Sequence, residues 1–214
     1  MRAIGARLPW LDLDVIGFQE VWMASARETL LEAGRRAGFE HVWYNDVPLG
    51  GSGLLVISRL PILESHFERF RLGGVPHRLD HGDYYGDKGF AEIHVKTPLG
   101  PVVLMNTHLH ARYGSDVDHE YRGHRTGEII QLVARMRKLE HPIAAVGDFN
   151  LVESDAEYRI FRGLSGSLDS ALVVGNPEPT KFHGNPYRSR NSNDRRKDFI
   201  FQALPGFVWV PDGG

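Results

Sequence analysis

Ile143-Ala144-Ala145-Val146-Gly147-Asp148-Phe149-Asn150 follows Pro142 and reads as a short apolar strand that stops on Gly, Asp and Asn. Four apolar residues are too few for a helix and suit a buried strand. The end of such a strand delivers polar side chains into a cleft bordered by loops. Asp148 and Asn150 stand two apart, so an extended chain turns both to one face. A carboxylate beside an amide can grip a phosphate, a divalent cation or an attacking water. From this stretch alone, a strand running into an Asx turn is an equal reading.

Three further stretches have the same construction. Asp14-Val15-Ile16-Gly17-Phe18-Gln19-Glu20 is an apolar strand closing on a carboxylate. Val102-Val103-Leu104-Met105-Asn106-Thr107-His108-Leu109-His110 closes on histidines. Lys197-Asp198-Phe199-Ile200-Phe201 carries Asp198 near its start. Glu, His, Asp/Asn and Asp at four strand ends predict one polar cluster at one edge of a sheet system.

In these residues the chain resembles the endonuclease/exonuclease/phosphatase superfamily of metal-dependent phosphodiesterases. The resemblance rests on Gln19-Glu20, Asn106-Thr107-His108-Leu109, Gly147-Asp148-Phe149-Asn150 and Arg196-Lys197-Asp198-Phe199, in that order. Ser58-Arg59-Leu60-Pro61-Ile62 and Ser167-Leu168-Asp169-Ser170-Ala171 add weaker matches. Asp83-Tyr84 with Lys88-Gly89-Phe90, the run from Thr107 to Tyr113, and His124-Arg125-Thr126 resemble the neutral sphingomyelinase branch. The resemblance implies an α/β fold: a four-layer, DNase I-like sandwich of two packed mixed, largely antiparallel sheets flanked by helices. It treats residues 1–214 as one domain. It also places an Asn-bearing strand ahead of Gln19-Glu20 and a Ser-Asp-His beyond Gly214. The expectation is therefore a chain short of both, with little turnover of its own.

Composition sets outer limits. A chain of 214 residues, 42% apolar and 24% charged, can bury a sizeable core. A formal net charge of −2 gives no basic footprint for nucleic acid. The lack of cysteine excludes a disulfide framework and any thiolate ligand or nucleophile. No stretch is long and apolar enough for a transmembrane helix or a secretory signal, and no compartment follows.

Along the chain, periodicity predicts helices over residues 22–37 and 121–139, and a third from Ser154-Asp155-Ala156-Glu157 to Arg162, stopped by Gly163. Residues 41–46 and 53–58 read as strands, as do 61–70 and 88–95. Residues 72–87 are the least regular stretch and read as a functional loop bearing His77, His81, Tyr84 and Tyr85.

The resemblance assigns roles. Glu20 is the principal ligand of Mg²⁺, for which Mn²⁺ or Co²⁺ could substitute. His108, Asp148, Asn150 and Asp198 are catalytic: Asp148 orients or deprotonates the attacking water, or that base is the histidine of the Ser-Asp-His, which pairs with the Asp198 position, while Asn150 and His108 donate to the phosphoryl group. Lys88, His110 and Tyr84 are expected to bind substrate. Arg125 either tethers the site loops through carboxylates or is an ordinary exposed charge. The expected substrate is a phospholipid phosphodiester, sphingomyelin or a relative, met at a membrane surface by a monomer. A nuclease of the same superfamily and a non-catalytic phosphate-binding module are the alternatives.

Overall fold

The structure is a computed structural model that describes residues 1–45, 51–74, 86–113, 118–181 (backbone alone at 118–120) and 194–205. The strands are β1 Val15–Phe18, β2 His41–Tyr44, β3 Leu55–Ser58, β4 Ile62–Arg69, β5 Gly89–Thr97, β6 Gly100–His108, β7 Ile143–Asp148, β8 Leu168–Asp169 and β9 Asp198–Ala203. The helices are α1 Arg2–Gly5, α2 Ala24–Arg36, α3 Asp118–Met136, α4 Ala156–Ser165 and α5 Ser170–Val173.

These elements stack as helix, sheet, sheet, helix. The smaller sheet has the order β1-β3-β2 and is antiparallel throughout. The larger runs β4-β5-β6-β7-β9-β8, and its one parallel pair is β6–β7. A parallel pair needs a crossover, which α3 supplies. The mixed character expected of both sheets thus belongs to the larger one.

Alternation along β7 explains the layering. Ile143 and Ala145 join Val103, Met105, Phe149, Phe161 and Phe201 in a core under α3 and α4. Ala144 and Val146 face the other way, against Val56, Ile93 and Leu104 between the sheets. A third core, with Leu30, Leu31, Phe39, Leu55 and Ile57, seats α2 on the smaller sheet.

Helix ends follow local chemistry. α2 terminates at Gly38, whose φ of 85° suits glycine, and the Phe39 N–H returns to the Gly34 carbonyl at 2.9 Å. α4 runs through Gly163, contrary to the stop expected there. It ends instead at Gly166, which is left-handed (φ 66°) and caps Arg162. A glycine stops a helix where the backbone must turn left-handed, and only the second one does so.

Candidate active site

Strand register puts the sequence-predicted residues in one row. His108 is the partner of Asp148 across the parallel β6–β7 pair, and Asp148 is the partner of Asp198 across β7–β9. Directly before Asp148, Gly147 adopts φ 141°, and a side chain there would run into the Thr107 carbonyl oxygen. Glycine therefore lets β6 and β7 close tightly at the last rung, beneath His108 and Asp148.

The smaller sheet contributes Glu20 from across the sandwich. His108 Nε2 lies 4.0 Å from a Glu20 oxygen and 3.9 Å from an Asp148 oxygen. Glu20 and Asn150 both hold left-handed backbone, at φ 59° and 51°. Non-glycine residues in that region are uncommon and concentrate at functional sites. At Asn150 the turn is secured by its own N–H donating to Asp148 Oδ1 at 2.8 Å.

Two lysines complete the cluster. Lys88 is buried, with Nζ 3.2 Å from His108 Nε2 and 2.9 Å from the Leu109 carbonyl. Lys197 Nζ donates to Asn150 Oδ1 at 3.1 Å, and Asn150 Nδ2 donates to the Leu109 carbonyl at 3.0 Å. Asn150 thus spends one of its two amide hydrogens on the backbone. Burial, and then the charge of Asp198, push the Asp148 carboxyl up to about 7, with Lys197, the Asn150 N–H and Lys88 pulling the other way. Lys197 is pushed below the usual lysine range, first by burial, with Asp148 opposing and Lys181, Arg112 and Arg195 adding to the fall.

Of the remaining expected residues, His110 and Arg125 are described. β6 ends at His108, so His110 does not continue the alternation. It is buried with its ring stacked on Tyr121 at 4.1 Å, and its backbone N–H donates to Glu128. In these contacts His110 packs against α3. Arg125 proves buried rather than exposed, 3.4 Å from the Glu157 carboxylate. Tyr84, together with His77, His81 and Tyr85, lies outside the described residues.

Sequence reasoning gave no role to Lys197, although it stands beside Asp198 in a matching motif. It also passed over the support behind the row. Arg196 is buried and donates to both oxygens of Asp169 and, through Nε at 2.8 Å, to Glu153. Tyr158 Oη donates to the same Asp169 at 2.8 Å. Burial opposes ionisation of Asp169, but these donors hold its carboxyl below the usual range. The network anchors the entry of β9 to α4 and β8, one residue before Lys197. Arg196 and Asp169 each stand in a matching motif, but nothing in the sequence ties one to the other.

Among the described residues no three His, Asp or Glu side chains stand close enough to cage a metal ion. The donor set nonetheless fits Mg²⁺, a hard cation that takes one or two carboxylates and keeps most of its waters. Glu20 offers an oxygen ligand that is 68% exposed, and its carboxylate and that of Asp148 both lie about 4 Å from His108 Nε2.

This arrangement defines a class, and the chain belongs to the endonuclease/exonuclease/phosphatase family, whose family model matches residues 1–203. Particular relatives are also similar. Inositol phosphosphingolipids phospholipase C of Schizosaccharomyces pombe is 32% identical over 178 residues, covering 81% of this chain and 42% of that protein. Human sphingomyelin phosphodiesterase 2 is 30% identical over 179 residues, covering 80% and 41%. The chain thus spans under half the length of these relatives. Among solved structures, a Staphylococcus aureus beta toxin variant with bound magnesium ions superposes with a TM-score of 0.75 at 16% identity, covering 98% of this chain and 77% of that one. Among the described residues no helix is long and apolar enough to cross a membrane.

Proposed function

We propose that this chain carries the catalytic cluster of a Mg²⁺-dependent phosphodiesterase that hydrolyses the phosphodiester of a sphingolipid or related phospholipid. The observation that carries the reading is the single row His108, Asp148, Asp198, faced by Glu20 from the other sheet. The names of the relatives favour a lipid substrate, and the net charge of −2 gives no support to a nuclease.

A phosphodiester resists hydrolysis because its charge repels nucleophiles, so catalysis is largely neutralisation and positioning. When bound at Glu20, Mg²⁺ would supply Lewis-acid stabilisation of the phosphoryl charge. The residues of this chain surround that charge. Lys88 and Lys197 add positive charge on two sides of the row. The Lys88 ammonium, oriented by His108 Nε2 at 3.2 Å, and the remaining N–H of Asn150 donate to phosphoryl oxygens. Asp148, titrating near neutral pH, is suited to accept the proton of an attacking water. Asp198 stands beside it in register and contributes the repulsion that helps raise its proton affinity.

Release of phosphorylated head group from sphingomyelin or inositol phosphosphingolipid vesicles with Mg²⁺, run beside plasmid nicking, tests the reading. Head-group release that is lost in Asp148→Ala supports it. Nicking without lipid cleavage would leave the row and discard the lipid.

A further inference from the structure

Among the described residues the layer between the sheets is largely apolar, and a buried amide interrupts it near the cleft. Asn106 on β6, fully buried among Val56, Ala91 and Leu104, reaches across to the smaller sheet. Its Nδ2 donates to the carbonyls of Phe18 (3.2 Å) and Leu55 (3.4 Å), and its Oδ1 accepts from Gln19 Nε2 at 2.6 Å. Phe18 and Leu55 are partners on the last rung of the β1–β3 pair. Both side-chain groups of Asn106 are therefore satisfied where a bare amide would be costly.

Room for this amide is made by the sequence. A Cβ on Gly17 would sit 2.9 Å from both Asn106 Cγ and Oδ1, so any larger residue there would displace the amide. Gln19 Nε2 also lies 3.3 Å from the Gly17 carbonyl, which holds the side chain back along its own strand. One residue later, Glu20 turns left-handed and projects toward His108. Asn106 itself lies two residues before His108, on the same face of β6. One amide thus ties the strand carrying His108 to the strand that delivers Glu20.

We propose that Asn106 and Gln19 are positioning residues that fix the Glu20 carboxylate against the His108–Asp148–Asp198 row, and so set the affinity of the cation site shared by the two sheets. The proposal rests on Glu20 being the cation ligand. Residues that orient a metal's ligands typically govern its affinity ten- to a hundredfold.

Calorimetric titration with Mg²⁺ alone, without substrate, tests this on the parent chain, Gln19→Met, Asn106→Leu, the double variant and Glu20→Gln. Gln19→Met is the decisive variant, because Gln19 is only partly buried and its loss leaves the apolar layer intact. We expect Gln19→Met to weaken Mg²⁺ about tenfold or more. The double variant should bind no more weakly than Asn106→Leu, since the two amides act as one clamp. Gln19→Asn, with a shorter side chain but the same amide, should recover part of the loss. Parent-like affinity in Gln19→Met alongside weakened Glu20→Gln would overturn the clamp and keep Glu20 as ligand. Unchanged affinity in Glu20→Gln would overturn both. Should Asn106→Leu fail to fold, Gln19→Met and Gln19→Asn still decide the matter.

Discussion

Asp148→Asn should make the metal-free protein more stable above neutral pH and leave it unchanged in acid. In the folded chain the Asp148 carboxyl titrates at about 7 against an ordinary 3.8. Below about pH 4 the group is protonated whether the chain is folded or not, and it costs nothing. Between the two values the unfolded chain ionises while the folded one resists, so stability is lost as pH rises, and the loss is complete above about pH 7. At 1.36 kcal/mol per pKa unit the full difference is about 4 kcal/mol. The side chain is 26% exposed, and solvent screening brings the expected cost to about 2 kcal/mol. Asparagine mimics the protonated acid and keeps Oδ1 as the acceptor for the Asn150 N–H. Thermal unfolding in EDTA at pH 4, 6, 7 and 9 would read the effect. The variant should melt about 4 to 8 °C above the parent at pH 9, a gap that closes toward pH 4. Added Mg²⁺ should narrow the gap at pH 9 by stabilising the parent. A gap of the same size at every pH, or a variant less stable at pH 9, would refute the reasoning.

Lys197→Met removes a cation that holds the Asp148 carboxyl down, so a carbon-detected NMR titration should find the Asp148 midpoint moved further up, and a downward move would contradict the assignment. Gly147→Ala should cost about 3 kcal/mol or more in urea unfolding, because a Cβ there meets the Thr107 carbonyl and the backbone is left-handed; a cost under 1 kcal/mol would mean that β6 and β7 do not close as described. Arg196→Met strands the buried Asp169 carboxylate and should cost about 3 to 5 kcal/mol, with Asp169→Asn added to it restoring part of the loss; additive losses in the same urea series would exclude the pairing.

The strand ends were legible because each joins an apolar run to a polar stop, a pattern that needs no partner to be seen. Glu20, His108, Asp148 and Asp198 stood out for that reason. Their alignment in one row was not legible, since register across β7–β9 joins residues 50 positions apart. Lys88 was named from a motif, but its reach to His108 depends on where β5 begins. His110 would share the face of His108 only if the strand continued, and β6 ends at His108. Asn106 lay in plain view inside a matching motif, yet an amide between two apolar sheets acquires meaning only when its three hydrogen-bond partners are known. The same holds for Arg196 and Asp169, which lie 27 positions apart.

The placement of the parallel pair has a consequence for motion. β6 and β7 are the two innermost strands of six, with β5 and β4 outside one and β9 and β8 outside the other. Opening at either edge of the sheet therefore leaves their shared ladder intact. Amides of residues 104–107 and 145–147 should exchange with solvent only through near-global unfolding, while those of β4 and β8 exchange through cheaper local openings. The row that holds His108 and Asp148 is thus built on the slowest-exchanging part of the sheet, whereas Glu20 arrives from a separate three-stranded unit. Fluctuation between those two units, more than fraying within either, would then set how long the cluster stays assembled.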